Sequence, residues 1–326
     1  MNRREIITLL VATPPWRLVA GAQPPALSVV ALLGTESPEA SADRLRVFRE
    51  ALAEAGHVDG RDVTVEYHWS PGSVERLSAL AADLARGPAA VVVATNTQAA
   101  LAAKAATATV PIVFQAGADP VELGLVASIK RPGGNLTGIA MLTSTFAAKR
   151  LQLLHELAPA AELVAVLGNA RNPAAAETET QQLQQAADAL GLRLLALSAR
   201  DPYEIEGAFA IMAEQGANAL LVGADPLFIR SSDRIVALAA QHGVPAIYQY
   251  RESVRAGGLA SYGTNLASGF RLLAAYTAQI LKGARPGDLP VVQATRFELL
   301  INLKTARALG LMIAESFLAG ADEVIE

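Results

Sequence analysis

The chain repeats itself in outline, and the repeat limits the folds open to it. Val91-Val92-Val93-Ala94 is an apolar run ending in Thr95-Asn96. A helical stretch follows, then Val110-Pro111-Ile112-Val113-Phe114 and Gly133-Gly134-Asn135-Leu136-Thr137-Gly138. The series returns as Leu220-Leu221-Val222-Gly223-Ala224-Asp225, Val244-Pro245-Ala246-Ile247-Tyr248 and Gly257-Gly258-Leu259-Ala260-Ser261-Tyr262-Gly263. Short apolar runs alternating with helical spacing imply parallel strands covered on both faces and joined by right-handed crossovers. Two such blocks predict two similar lobes with a ligand-sized cleft between them. A length of 326 residues suits two lobes better than one core.

The spacing predicts an α/β chain of two Rossmann-like lobes, each with a parallel sheet. In the first, strands are expected over 27–33, 62–69, 89–94, 111–114 and 136–140. Helices are expected over 42–55, 73–86 and 98–106, with a short one opened by Asp119-Pro120. In the second, helices are expected over 146–157, 173–190, 202–215 and 226–242. Strands are expected over 163–167, 193–197, 219–222, 246–248 and 259–262. A helix over 266–281 and a last strand over 296–302 have no counterpart at the end of the first block. They read as crossings between lobes, giving a three-stranded hinge. The expected division is 23–141 plus 265–288 for the N-terminal lobe and 142–264 plus 289–326 for the C-terminal lobe.

Composition narrows the partners. The chain is 52% apolar and 18% charged, as in a globular protein with large buried sheets. Net charge is −4 and no basic tract is present, which argues against nucleic acid and anionic membrane surfaces. Cysteine is absent, so disulfides, thiolate metal sites and a cysteine nucleophile are excluded. At the start, Arg3-Arg4 precede the apolar stretch from Ile6 to Ala12, and Ala20-Gly21-Ala22 offers a small-residue cleavage site. Residues 1–22 therefore read as a signal peptide, with Gln23 first in the mature chain. The paired arginines suggest twin-arginine export to the periplasm. Pro14, Pro15 and Arg17 interrupt the apolar region. No other segment reaches the ~18 uninterrupted apolar residues of a membrane helix.

In open parallel sheets, ligands sit beyond the carboxyl ends of the strands. Those ends carry Thr35, Glu36 and Ser37; Trp69 and Ser70; Thr95, Asn96 and Thr97; Gly117 and Asp119; Asn169 and Asn172; Asp225; Tyr248, Tyr250 and Tyr262. Hydroxyls, amides and aromatics dominate, and no catalytic set stands among them. Taken singly, each Thr, Asn or Asp is better explained as a helix cap or turn, and each Tyr is equally a strand residue; the functional reading rests on their joint placement at strand ends. The four histidines, His57, His68, His155 and His242, show no metal spacing. There is no G-x-S-x-G, Walker loop or H-E-x-x-H, so neither cofactor nor metal is expected. Gly133-Gly134-Asn135 precedes a strand, which suits a turn and not a dinucleotide fingerprint. Asp119 and Glu122 suit the dipole of a helix start.

Several stretches together resemble one family. They are Arg3-Arg4-Glu5-Ile6-Ile7-Thr8-Leu9-Leu10; Pro111-Ile112-Val113-Phe114 with Gly117 and Asp119-Pro120-Val121-Glu122-Leu123-Gly124-Leu125-Val126; and Arg131-Pro132-Gly133-Gly134-Asn135-Leu136-Thr137-Gly138. Gly223-Ala224-Asp225-Pro226, Ala256-Gly257-Gly258-Leu259, Phe297-Glu298-Leu299, Asn302-Leu303-Lys304-Thr305-Ala306 and Leu309-Gly310-Leu311 complete the match. The chain resembles the substrate-binding proteins of bacterial ABC transporters with the type I periplasmic binding fold, in the group related to tryptophan and tyrosine uptake components. The resemblance implies a two-lobe protein that closes by hinge motion and delivers a small molecule to an ABC permease. It implies a pocket of Ser37, Thr95, Asn96, Gly117, Asp119, Asn169, Asp225 and Tyr250. An amino acid would set its carboxylate on hydroxyls and backbone amides, and its ammonium on Asp225 or Asp119.

Two other readings stand beside it. One is a ligand-sensing module of the same fold that feeds a receptor. The other is a two-lobe sugar-nucleotide enzyme, which would need phosphate-cradling glycines that Gly34-Thr35-Glu36-Ser37-Pro38 lacks. A repressor of this fold would need a basic headpiece longer than the roughly 25 residues ahead of the first strand.

Overall fold

A computed structural model describes residues 27–141, 146–294 and 297–326. The segment read as a signal peptide lies outside the described residues. Within them, apolar runs become strands and Ala- and Leu-rich stretches become the helices that cover both faces. The first lobe runs β1 (Ser28–Gly34), α1 (Pro38–Glu54), β2 (Val63–Trp69), α2 (Val74–Arg86), β3 (Ala89–Ala94), α3 (Thr97–Ala106), β4 (Ile112–Ala116) and β5 (Leu136–Ala140). The second runs α4 (Ala147–Leu157), β6 (Leu163–Asn169), α5 (Pro173–Leu190), β7 (Arg193–Ala199), α6 (Pro202–Glu214), β8 (Ala219–Val222), α7 (Pro226–Arg230), α8 (Ser232–Gln241), β9 (Ala246–Tyr248), α9 (Arg251–Arg255) and β10 (Ala260–Thr264). The chain ends with α10 (Leu266–Leu281), β11 (Val292–Gln293), β12 (Phe297–Asn302), α11 (Leu303–Ala308), α12 (Glu315–Leu318) and β13 (Glu323–Ile325).

The sheets explain the repeat. The first has the order β11-β5-β4-β3-β1-β2, all parallel; the second has β13-β12-β10-β9-β8-β6-β7. Strands 1–5 and 6–10 thus occupy the same places in their sheets. In the second sheet only β12 runs against its neighbour β10. Each sheet has a core on each face. In the first lobe, Phe48, Leu52, Val91 and Phe270 fill one side, and Leu33, Leu77, Phe114 and Ile112 fill the other. In the second, Leu151, Leu154, Leu183 and Ile301 face Phe209, Met212, Leu227 and Ile235 across the sheet.

The chain crosses between lobes three times: after β5, after β10 and after β11. Helix α10 returns to the first lobe, where Phe270 and Leu273 join its core. Val292–Gln293, expected in the second lobe, instead pairs in parallel with Ile139 and Ala140 of β5. The return to the second sheet therefore falls after residue 293, not after 288, because a short edge strand satisfies the open edge of β5 first.

Three other details differ from expectation. Asp119-Pro120 opens turns and not a helix, although the Asp119 side chain does cap Val121 N at 2.7 Å. The helix expected over 226–242 is two helices, parted at Ser231. Helices α11 and α12 and strand β13 extend the second lobe past the last expected strand, where short segments with Gly310 and Gly320 between them show little periodicity.

Candidate functional site

The cleft lies beyond the carboxyl ends of both sheets, and each lobe knits its contribution in the same way. At the point where strand order reverses, Thr95 N donates to Leu33 O at 3.0 Å in the first lobe. In the second, Gly223 N donates to Leu167 O, also at 3.0 Å. A side-chain bond then ties the two strand ends together. Asn96 Nδ2 donates to Thr35 Oγ1 at 2.9 Å, and Asn169 Nδ2 donates to Asp225 Oδ1 at 2.8 Å. The same residues start helices, since Asn96 caps α3 through Ala99 N and Asp225 caps α7 through Leu227 N. A single constellation therefore fixes strand ends, helix starts and cleft wall together.

The first-lobe wall is aromatic and half-buried. Trp69 and Tyr67 stack with ring centroids 6.4 Å apart. Trp69 fits only because Gly34 has no side chain: a Cβ there would lie 2.5 Å from the indole and would also strike Thr95 Oγ1. Trp69 Nε1 and Tyr67 Oη are buried without a partner among the described residues. Beside them, Glu36 is buried and held by Arg44 and by Ser41, whose Oγ donates to Glu36 Oε2 at 2.8 Å. That ion pair is satisfied within the lobe, so Glu36 shapes the wall without offering a free charge.

The second lobe reaches across. Tyr250 and Ile229 pack against the first-lobe cluster that holds Tyr67 and Trp69. Burial, with Glu36 nearby, pushes the Tyr250 phenol well above its ordinary value, so it is neutral at physiological pH. At the rim, Arg171 Nη1 donates to Gly72 O at 2.6 Å, a direct bond between lobes. Deeper in the second lobe, Arg150 is fully buried and paired with Glu179 at 2.6 Å. Glu179 also accepts from Ala224 N at 3.1 Å, fixing the turn before Asp225. Behind Asp225 and Tyr250 a cavity of about 20 Å³, also lined by Ser232, Tyr248, Gln249 and Ser253, has room for one water but not an organic solute.

The structure places the expected site residues unevenly. Thr95, Asn96, Asn169 and Asp225 stand together at the two reversal points, and Tyr250 joins the lobes. Asp225 already accepts from Asn169, from Leu227 N and from Asn172 Nδ2 at 3.4 Å. Of the roughly four acceptor positions on a carboxylate, one remains for a ligand. Gly117 N donates to Thr97 Oγ1 at 2.9 Å at the end of β4. Ser37 and Asp119 spend side-chain oxygens on Ala40 N and Val121 N. Tyr248 and Tyr262, read as strand residues or stacking groups, are in the second-lobe core or against it. Tyr248 is buried in the core cluster that includes Phe209 and Ile235, and Tyr262 packs on Phe146 and Phe297. Among the described residues no group of three or more His, Cys, Asp or Glu side chains is placed to hold a metal ion.

Gln249 and Arg230 were not singled out from the sequence. Gln249 is buried and neither amide atom finds a partner among the described residues. The two blocks themselves held a signal, because Val-Pro-x-x-aromatic-Gln ends both β4 and β9, with Gln115 as the other copy.

Comparison with known proteins decides the family. The family model for ABC transporter substrate binding proteins matches residues 30–325. The chain belongs to this family. A tyrosine-binding protein of Clostridioides difficile (strain R20291) is 26% identical over 262 residues, covering 80% of this chain and 75% of the relative. An ABC domain in complex with L-Trp from Streptococcus pneumonia superposes with a TM-score of 0.82 at 25% identity, covering 92% of this chain and 100% of that one. A conserved domain protein from Vibrio cholerae gives a TM-score of 0.83 at 26% identity, covering 91% and 99%. The fold is that of the type I periplasmic binding proteins, as the two-sheet topology implies. As a substrate-binding protein, the molecule works by holding a solute and releasing it, and the cleft chemistry suits that task.

Proposed function

We propose that this substrate-binding protein carries an aromatic amino acid or a close analogue in the interlobe cleft and delivers it to an ABC permease. The observation that carries the reading is the aromatic seam. Trp69 and Tyr67 line the first-lobe side, Tyr250 closes from the second, and the indole N–H is left for a partner. Flat apolar faces with a few fixed polar groups are what an aromatic side chain needs. Around them, Thr95, Asn96, Asn169 and Asp225 supply the hydroxyl, amide and carboxylate groups that hold a polar head. The names of two relatives, one tyrosine-binding and one bound to L-Trp, point the same way. The mature chain is exported, with residues 1–22 as its signal segment; the paired arginines and the small-residue site support this.

The test is a thermal-shift and calorimetric panel of L-tryptophan, L-tyrosine, L-phenylalanine, aliphatic amino acids and sugars. A ligand that binds the native state alone raises Tm, by about 2.7 kcal/mol of added stability at a hundredfold excess over Kd. Saturable stabilisation by one or more aromatic amino acids is expected. Stabilisation by aliphatic amino acids or sugars alone would refute the aromatic reading.

A further inference from the structure

Arg230 is the one arginine among the described residues that is partly withdrawn from solvent yet has no carboxylate and no hydrogen-bond partner. Among the described residues, every other arginine withdrawn from solvent is paired: Arg44 with Glu36, Arg150 with Glu179, Arg234 with Glu206 and Arg251 with Glu298. Arg230 also stands at the seam. It is the last residue of α7, the helix that Asp225 caps. Its neighbour Ile229 packs on the first-lobe cluster of Tyr67 and Trp69. Its Nη2 comes within 4.0 Å of where a side chain on Gly72, in the opposite lobe, would begin. Burial and the like charge of Arg171 work against its charge, and the carboxylates of Asp225 and Glu36 only partly offset that cost. A half-desolvated guanidinium without a fork partner is unfavourable unless something else completes it.

We infer that Arg230 binds the carboxylate of the ligand. The inference deepens the proposed function, on which it rests, by assigning the carboxylate a cation where hydroxyls and backbone amides were expected to suffice. The surroundings favour a carboxylate over a phosphate. Arg230 and Arg171 are balanced by Asp225 and Glu36, which lie within electrostatic reach of Arg230, so the site holds both signs of charge and no excess of positive charge for a dianion. It matches a zwitterion, whose carboxylate pairs with Arg230 while its ammonium faces the remaining acceptor position on Asp225. The guanidinium fork suits a bidentate carboxylate pair, which a lysine cannot reproduce. The break at Ser231 ends α7 at Arg230, and this stops the side chain from being one more exposed cation along a continuous helix.

The experiment is titration calorimetry of the full-length mature protein, wild type, R230Q and R230K. The panel is L-tryptophan, L-tyrosine and aliphatic amino acids, each set beside its decarboxylated amine, such as tryptamine and tyramine. Melting of the ligand-free variants checks that the fold is kept. R230Q is expected to weaken the bound amino acid by roughly tenfold to a hundredfold, the range of a charge-assisted pair. The same change should leave the corresponding amine, already lacking the carboxylate, within about twofold. R230K should recover only part of the loss. Unchanged amino-acid affinity in R230Q overturns the inference. Equal loss for acid and amine also overturns it, because Arg230 would then act on lobe closure alone. If an aliphatic amino acid proves to be the ligand and R230Q loses it selectively, Arg230 stands and the aromatic reading falls. A panel in which only the amines bind, or nothing binds, overturns the role of Arg230.

Discussion

Tyr248 shows how a side chain that satisfied one expectation can be put to another use. It ends β9, where the sequence suited a buried strand residue and a stacking group equally; its ring lies in the second-lobe core, and its hydroxyl has no partner among the described residues. Burial pushes the phenol far above its ordinary 10.0. Above pH 10 the unfolded chain gives up this proton while the folded chain keeps it. Stability contributed by the neutral phenol is therefore complete below about pH 10 and is lost as pH rises beyond it. Urea denaturation from pH 7 to 11 should show that decline. Tyr248→Phe should lessen it, leaving the share of Tyr250 and the other raised phenols, with little loss at pH 7 because the removed hydroxyl has no partner among the described residues. A parallel decline in both proteins would assign the pH dependence to other groups. The placement of Thr95, Asn96, Asn169 and Asp225 at strand ends was legible because each lies within three residues of the end of an apolar run. Arg230 was not, since an arginine closing a helical stretch looks like an ordinary C-terminal cation. Its isolation depends on a helix break and on a loop 158 residues away at Gly72 (230 − 72).

At the scale of elements, matched strands carry matched glycines. A Cβ on Gly138 of β5 would collide with Phe114 O of β4, and one on Gly263 of β10 would collide with Gln249 O just past β9. Both sit where the fifth strand of a lobe crosses closest to the fourth, at the edge of the hinge crossings. Gly138→Ala and Gly263→Ala should each cost about 1–3 kcal/mol as overpacking, and more if the strand cannot shift. Chemical denaturation measures this, and a loss under about 0.5 kcal/mol in either would show that the backbone yields easily there. The strands and most helices were readable because apolar runs and 3.6-residue spacing are local signals. β11, α11, α12 and β13 were not, because such short segments take their structure from a finished sheet, the strands by pairing at its edge and the helices by packing on its core. The parting of α7 from α8 was equally hidden, since Pro226 to His242 keeps helical spacing through Ser231.

At the scale of the molecule, the two lobes are separate cores that share one seam. Glu298 bonds Asn265 at 2.9 Å and Arg251 at 2.6 Å, tying the second crossing to the start of β12, so the hinge is fixed by polar contacts. The seam, in contrast, has an apolar part inside its polar rim: Ile229 and Tyr250 rest on the first-lobe cluster with Trp69 and Tyr67. Opening the cleft must wet those rings and that aliphatic chain. Exposed apolar surface takes up heat with rising temperature, at roughly 0.45 cal/mol/K for each Å². Capture of a solute should thus carry a negative heat-capacity change greater than the solute's own apolar surface accounts for. Titrations at several temperatures measure it, and Tyr250→Ala should bring the value back toward that of the solute alone. The aromatic seam would then act as a hydrophobic latch, whose hold weakens as the protein is cooled.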